Sequence, residues 1–180
     1  MKRLRSLDED HIIFGYEALE TGMAVAKGRL TRVVLGGEAL HRISSLQQAD
    51  REQAVQDLAQ ENEFYLPGHP DMQSILHLSI QEGRLVFDVR DETDQPVQAV
   101  LLALGPFKTL IRDYRMLLDS YASAVAEGRE ARIQAIDMGR RGLHNEGAEL
   151  IKERLAGKLA IDFSTARRLF TLVCALHEKL

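Results

Sequence analysis

Leu76-His77-Leu78-Ser79-Ile80, then Gln81-Glu82-Gly83-Arg84, then Leu85-Val86-Phe87-Asp88-Val89-Arg90: apolar and polar residues alternate in both flanking runs, and a glycine sits between them. Alternation places successive side chains on opposite faces of a strand, so the pattern predicts a β-hairpin with one buried face. After the polar Asp91 to Gln95, the run Pro96 to Leu104 carries Val97, Val100, Leu101, Leu102 and Leu104 on both of its faces, which reads as a central strand. Gly105-Pro106 opens a helix with proline at its first position. Phe107, Leu110, Ile111, Tyr114, Leu117, Leu118, Tyr121 and Val125 then keep helical spacing up to Gly128. The apolar sheet face needs a cover, and this helix is the first element able to supply one.

Upstream, Arg29 to Leu35 is β-rich and closed by Gly36-Gly37, a strand and turn. Asp50 with Gln53 forms a capping-box-like pair that predicts a helix from near Asp50, with Ala54, Val55, Leu58 and Ala59 as its stripe, to near Asn62. Pro67-Gly68 and Pro70 make Phe64 to Asp71 a loop. Downstream, helices are expected over Glu130 to Arg141, Asn145 to Ala156, and Ser164 to His177, the last capped by Ser164 or Asp162. Lys158 to Ile161 reads as a short strand or an extended link. The expected fold is α+β: a small antiparallel sheet, hairpin plus neighbouring strands, covered by helices, with an all-helical C-terminal half. Residues 29–180 form the domain, and 1–28 form an N-terminal extension whose order the sequence leaves open.

At 180 residues the chain can bury about 70% of its unfolded surface without disulfide or metal. Its single cysteine, Cys174, lies in an apolar run and reads as a packed thiol, which suits a reducing cytoplasm. The basic start Met1-Lys2-Arg3-Leu4-Arg5 is followed by Asp8, Glu9 and Asp10 where an export signal would need apolar residues. Ala99 to Leu104, the longest strongly apolar run, falls far short of the roughly 20 residues of a membrane span. The expectation is a soluble cytoplasmic protein with no membrane partner. A net charge of −4 supplies no general attraction for nucleic acid.

One segment concentrates reactive residue types: Asp137-Met138-Gly139-Arg140-Arg141-Gly142-Leu143-His144-Asn145-Glu146-Gly147-Ala148-Glu149. Arg140 and Arg141 can grip a phosphate or carboxylate, and a helix beginning at Asn145 would aim backbone N–H groups at the same ligand. His144 could exchange a proton near neutral pH, oriented by Glu146 or Asp137. A purely structural account fits as well: Gly142 ends one helix, Leu143 packs behind it, Asn145 caps the next, and Asp137 pairs with Arg141 one turn away. Between Arg129 and Arg168 nine basic residues face six acidic ones, a patch too weak to argue for nucleic acid. Arg167-Arg168 would join Arg140 and Arg141 only if their helices pack together. His77 could pair with Asp88 across the hairpin. His11, His41, His69 and His177 lack metal-ligand spacing, and Ser44 and Ser45 lack a nucleophile elbow. No metal or cofactor is expected.

Gly83 to Arg90, Leu104-Gly105-Pro106-Phe107, Ala135 to Glu149 and Phe163 to Leu172 together resemble a bacterial uncharacterised family of the UPF series, number 0262. The resemblance runs from about Arg29 to the C-terminus and implies a small bacterial cytosolic protein, with no reaction or ligand attached. Met1 to Gly22 precede the part that looks like the family's beginning. They are expected to be an upstream-start extension or a loosely attached helix docked through Ile12, Ile13, Phe14, Tyr16 and Leu19. The sequence favours a binding or regulatory module, with a protein partner or a small anionic ligand and a homo-oligomer left open. The alternative is a small enzyme, or a binder of a phosphorylated or carboxylated ligand, at Asp137 to Glu149.

Overall fold

The computed structural model describes residues 11–15 through their backbone, and residues 27–36 and 44–176 in full. His41, His177, Gly37, Tyr16 and Leu19 lie outside the described residues. The strands are β1 (His11–Gly15), β2 (Arg29–Gly36), β3 (Phe64–Tyr65), β4 (Gln73–Gln81), β5 (Arg84–Arg90), β6 (Pro96–Ala103) and β7 (Ala160–Ile161). The helices are α1 (Ser45–Gln60), α2 (Lys108–Ala126), α3 (Glu130–Leu155) and α4 (Phe163–Leu176). One sheet has the order β1-β2-β4-β5-β6, and β3 pairs with β7 in a small second sheet.

The α+β class is as the pattern predicts, and the hairpin stands in register, Leu78 opposite Phe87 and His77 opposite Asp88. The sheet is mixed rather than purely antiparallel, because α1 carries the chain across from β2 to a parallel β4. His11–Gly15, which the sequence reading gave to an extension or a docked helix, is a strand antiparallel to β2. β6 is an edge strand and not a central one. Val100 and Leu102 face the core while Val97 and Leu101 remain 40% and 48% exposed, so its apolar character on both faces reflects an uncovered surface.

Helix α1 begins five residues earlier than the Asp50 reading places it. Ser44 Oγ accepts from Gln47 N at 3.2 Å, and Gln47 Oε1 accepts from Ser44 N at 3.2 Å, a complete capping box. Asp50 is thereby freed from capping. Helix α2 follows a 3-10 turn at Gly105–Phe107 with Pro106 leading, and it stops before Gly128, whose φ of +65° favours glycine. Asp162 caps α4, its Oδ1 accepting from Thr165 N at 2.9 Å.

The covering of the sheet also departs from expectation. The backbones nearest the strands belong to α1, against β2, and α4, against β4 and β2. Helix α2 packs on α3, and α3 on α4. Helix α4 is thus enclosed by sheet and helices, and Ala166, Leu169, Phe170, Leu172, Val173 and Cys174 are almost wholly buried.

Helix α3 is one helix where the sequence predicts two. It runs unbroken through 26 residues, so there is no helix end at Gly142 and no cap at Asn145. Glu130 in its first turn, and Lys152 and Arg154 in its last, match the signs of the helix dipole. Two of its glycines serve packing. A Cβ on Gly147 would run into the Phe170 ring, so the missing side chain is what lets α3 and α4 touch, and Gly139 lies against Leu117 of α2. Gly142 faces open space.

These environments predict opposite effects on urea unfolding. Gly147→Ala should destabilise by about 1 to 3 kcal/mol through overpacking. Gly142→Ala, inside a helix and unobstructed, should stabilise by about 0.5 to 1 kcal/mol. A destabilising Gly142→Ala would contradict the continuous helix.

Candidate functional site

The polar residues of α3 meet those of the other helices around one carboxylate. Asp50 of α1 accepts from the Tyr114 hydroxyl of α2 through Oδ2 and from Arg140 Nη1 of α3, at 2.6 Å, through Oδ1. Arg140 Nη2 also donates to Asp137 Oδ1 at 2.8 Å, and Arg141 Nε reaches Asp137 Oδ2 at 3.0 Å. Tyr114 stands on the buried stripe of α2, where its phenol needs a partner, and Asp50 supplies it. Burial, reinforced by the Asp50 charge, pushes the Tyr114 hydroxyl well above its ordinary pKa. Burial works against the Arg140 charge, but the hydrogen bond to Asp137 and the field of Asp50 outweigh it and hold that guanidinium above its usual value. The hydrogen bond from Arg140 keeps Asp137 below the usual carboxylate range.

His144 lies beneath this cluster at 7% exposure, its ring centroid 5.2 Å from that of Tyr114 and 6.1 Å, edge-on, from that of Phe170. Among the described residues its Nε2 has no hydrogen-bond partner. Burial first, then the positive field of Arg167, lowers its pKa to about 4, so it is neutral at neutral pH. Neither Asp137 nor Glu146 orients it. Asp137 is taken up by the two arginines, and Glu146 lies on the exposed side of α3. The three candidates for proton chemistry therefore do not share a site.

The candidates for ligand binding do meet in part. Arg140 turns inward as a strut between Asp50 and Asp137, whereas Arg141 projects outward with its side chain 71% exposed. Asn145 lies one turn beyond Arg141 on the same face. From α4, Arg167 Nε donates to Asn145 Oδ1 at 3.1 Å. Helices α3 and α4 do pack together, and the pair Arg167-Arg168 divides between them and α1. Arg167 joins the α3 group, while Arg168 Nη1 donates to Glu61 O at 2.7 Å beyond the end of α1. Burial, and then the charges of Arg140, Arg141 and Arg168, make the Arg167 guanidinium less basic than usual. Two carboxylates, Asp50 and Asp137, stand against three guanidiniums here.

A second polar network lies on the sheet face away from the helices. His77 is opposite Asp88 in register, yet its Nε2 pairs with Asp94 Oδ1 at 2.8 Å, because Arg90 occupies Asp88 with bonds of 2.8 and 2.9 Å. No group of three or more metal-capable side chains occurs among the described residues. A cleft of about 290 Å³ lies at the far end of α3, lined by residues that include Tyr65, Lys152 and Ile161. Asp50, Tyr114 and Arg167 complete the cluster. Asp50 carried one usable sign in the sequence, its place one turn before the apolar Ala54.

A family model described as an uncharacterised protein family, UPF0262, matches residues 27–179. A UPF0262 protein of Acidiphilium cryptum is 66% identical over 88% of this chain and 98% of its own length. One of Granulibacter bethesdensis is 60% identical over 86% and 93%, and one of Maricaulis maris 45% identical over 87% and 98%. No solved structure matches the chain.

Removing Asp50 leaves the buried Tyr114 hydroxyl without its acceptor and Arg140 with Asp137 alone, so Asp50→Ala should lower the unfolding free energy by about 3 kcal/mol, read from urea melts. The His144 pKa falls from 6.5 to about 4 on folding. Its neutral form is the folded one, so this stabilisation is complete above pH 6.5 and is lost as the pH falls toward 4, a change of about 3 kcal/mol. The wild type should therefore lose about that much relative to His144→Leu between pH 7 and pH 4. A pH-independent difference would show that the imidazole is not held neutral.

Proposed function

This chain belongs to the uncharacterised protein family UPF0262, and from its geometry we infer a binding module rather than an enzyme, whose ligand is a small phosphorylated or carboxylated anion held by Arg141, Asn145 and Arg167. The observation that carries this reading is the bond between Arg167 of α4 and Asn145 of α3, beside an exposed Arg141. It fixes a planar donor group at a helix crossing and leaves further N–H groups of Arg167, Asn145 and Arg141 to converge on an oxyanion. The excess of guanidinium over carboxylate favours an anion there, since each added negative charge relieves repulsion among Arg140, Arg141 and Arg167. Arg140 is assigned the role of positioning strut, because its two terminal nitrogens already bridge Asp50 and Asp137.

A binding role also agrees with the placement of the titratable groups. A histidine at a pKa of about 4 inside the helix layer is a poor base at neutral pH, and it lies on the buried side of α3 whereas Glu146 lies on the exposed side. Cytoplasmic location belongs to the same proposal. It draws on the buried free thiol of Cys174, raised in pKa by burial, and on the absence, among the described residues, of a helix long and apolar enough to cross a membrane.

Thermal melts in inorganic phosphate, pyrophosphate and citrate, each against chloride at equal ionic strength, test the site. A ligand at a hundred times its Kd should stabilise the protein by about 2.7 kcal/mol. Arg141→Ala and Arg167→Ala should each abolish most of that gain, and Glu146→Gln should keep it. Stabilisation undiminished in the Arg141→Ala, Arg167→Ala double variant would overturn the reading.

A further inference from the structure

Helix α3 presents a second set of side chains on the same stripe. Arg141, Asn145 and Lys152 fall within about 40° of one another around its axis, and Asn145 and Lys152 stand about 10 Å apart along it. The cleft of about 290 Å³ opens at Lys152 and Ala156, between the last turns of α3 and the β3–β7 ribbon. Leu159, Ala160 and Ile161 supply apolar walls, with Tyr65 on the ribbon's other strand. The β3 side of the cleft is built on Gly28, whose N–H donates to Pro70 O and whose O accepts from Phe64 N at 3.1 Å. A Cβ on Gly28 would collide with Tyr65 Cβ.

The charges at the rim are not equivalent. Glu63 is already matched by Lys27 at 3.6 Å. Lys152 is half-buried, and among the described residues it forms no ion pair or hydrogen bond, although Glu149 and Glu153 are close in sequence. Asp162 uses Oδ1 to cap α4, and its Oδ2 has no hydrogen bond among the described residues. One cationic and one anionic group are thus left with unused capacity over an apolar floor.

We propose that this cleft is a binding site for a small zwitterion with an apolar body, the class of a free aliphatic amino acid, whose carboxylate meets Lys152 and whose ammonium meets Asp162. The apolar portion lies on Leu159 and Ile161 against the Tyr65 ring. A volume near the lower end for ligand pockets restricts the occupant to about the size of a single amino acid. Both charges contribute, because a simple amine forgoes the contact with Lys152 and a simple acid forgoes the contact with Asp162. The site is independent of the Arg141, Asn145 and Arg167 surface, and either assignment can fail without the other.

Amide NMR titration of the full chain with L-leucine, 3-methylbutylamine and 4-methylpentanoate tests it. Leucine should shift amides from Tyr65 and from 152–162, with each analogue at least about tenfold weaker, the loss of one charge-assisted contact. Lys152→Met should weaken leucine by about the same factor. Asp162→Asn removes the charge while keeping an effective cap for α4, so it should weaken leucine without unfolding the protein. The proposal falls if millimolar leucine leaves those amides unmoved, if either analogue matches leucine, or if both variants bind it as the wild type does.

Discussion

The carboxylate of Asp50 holds the helical layer together. It is the shared acceptor for a tyrosine on α2 and an arginine on α3, while α1, which carries it, packs on the sheet and against α4. A partly buried carboxylate with two strong donors is favourable only while both are present, since each charge left alone in such a place is costly. Asp50 therefore fixes where α2 and α3 sit relative to α1, and the rest of the helical packing is arranged around that point. The approach of α3 to α4 is set next to it, by the missing side chain of Gly147 against Phe170.

This hub divides the α3 arginines by role. Arg140 is drawn inward between Asp50 and Asp137, and turning it toward a ligand would break both pairs. Arg141 stays at the surface, and Arg167 arrives from α4 to meet Asn145. His144 is carried under the Tyr114 ring, where burial and the surrounding guanidiniums hold it neutral. Residues adjacent in sequence thus differ in exposure and charge state, because successive helical positions point about 100° apart and only one direction leads to Asp50.

The same helix links the proposed anion surface to the proposed cleft site. Its stripe from Arg141 to Lys152 borders the buried seam of His144, Ala148, Ile151 and Leu155, so both the proposed anion surface and the cleft rest on a rigid, packed element. Elements of that kind hold side chains in place more firmly than loops do.

The sequence by itself determined the hairpin of β4 and β5, the strand at β2, the proline-led α2 with its end at Gly128, and a cap for α4 at Ser164 or Asp162, of which the structure uses Asp162. Each is written in local chemistry: alternation, helical spacing, a fixed proline φ, a side chain that accepts from its own helix. Only the tertiary structure decided that β6 lies at an edge, since an apolar strand reads alike whether its second face is covered or bare. It also decided that α3 is continuous. Gly142 looks like a terminator in sequence and lies in mid-helix, while Gly147 is a contact point in space, because a glycine's two uses, left-handed φ and close approach, are indistinguishable until the neighbouring helix is in place. The partners of Asp50 lie 64 and 90 residues away, a separation no local pattern encodes, and for that reason the centre of the site was the part of this protein least legible beforehand.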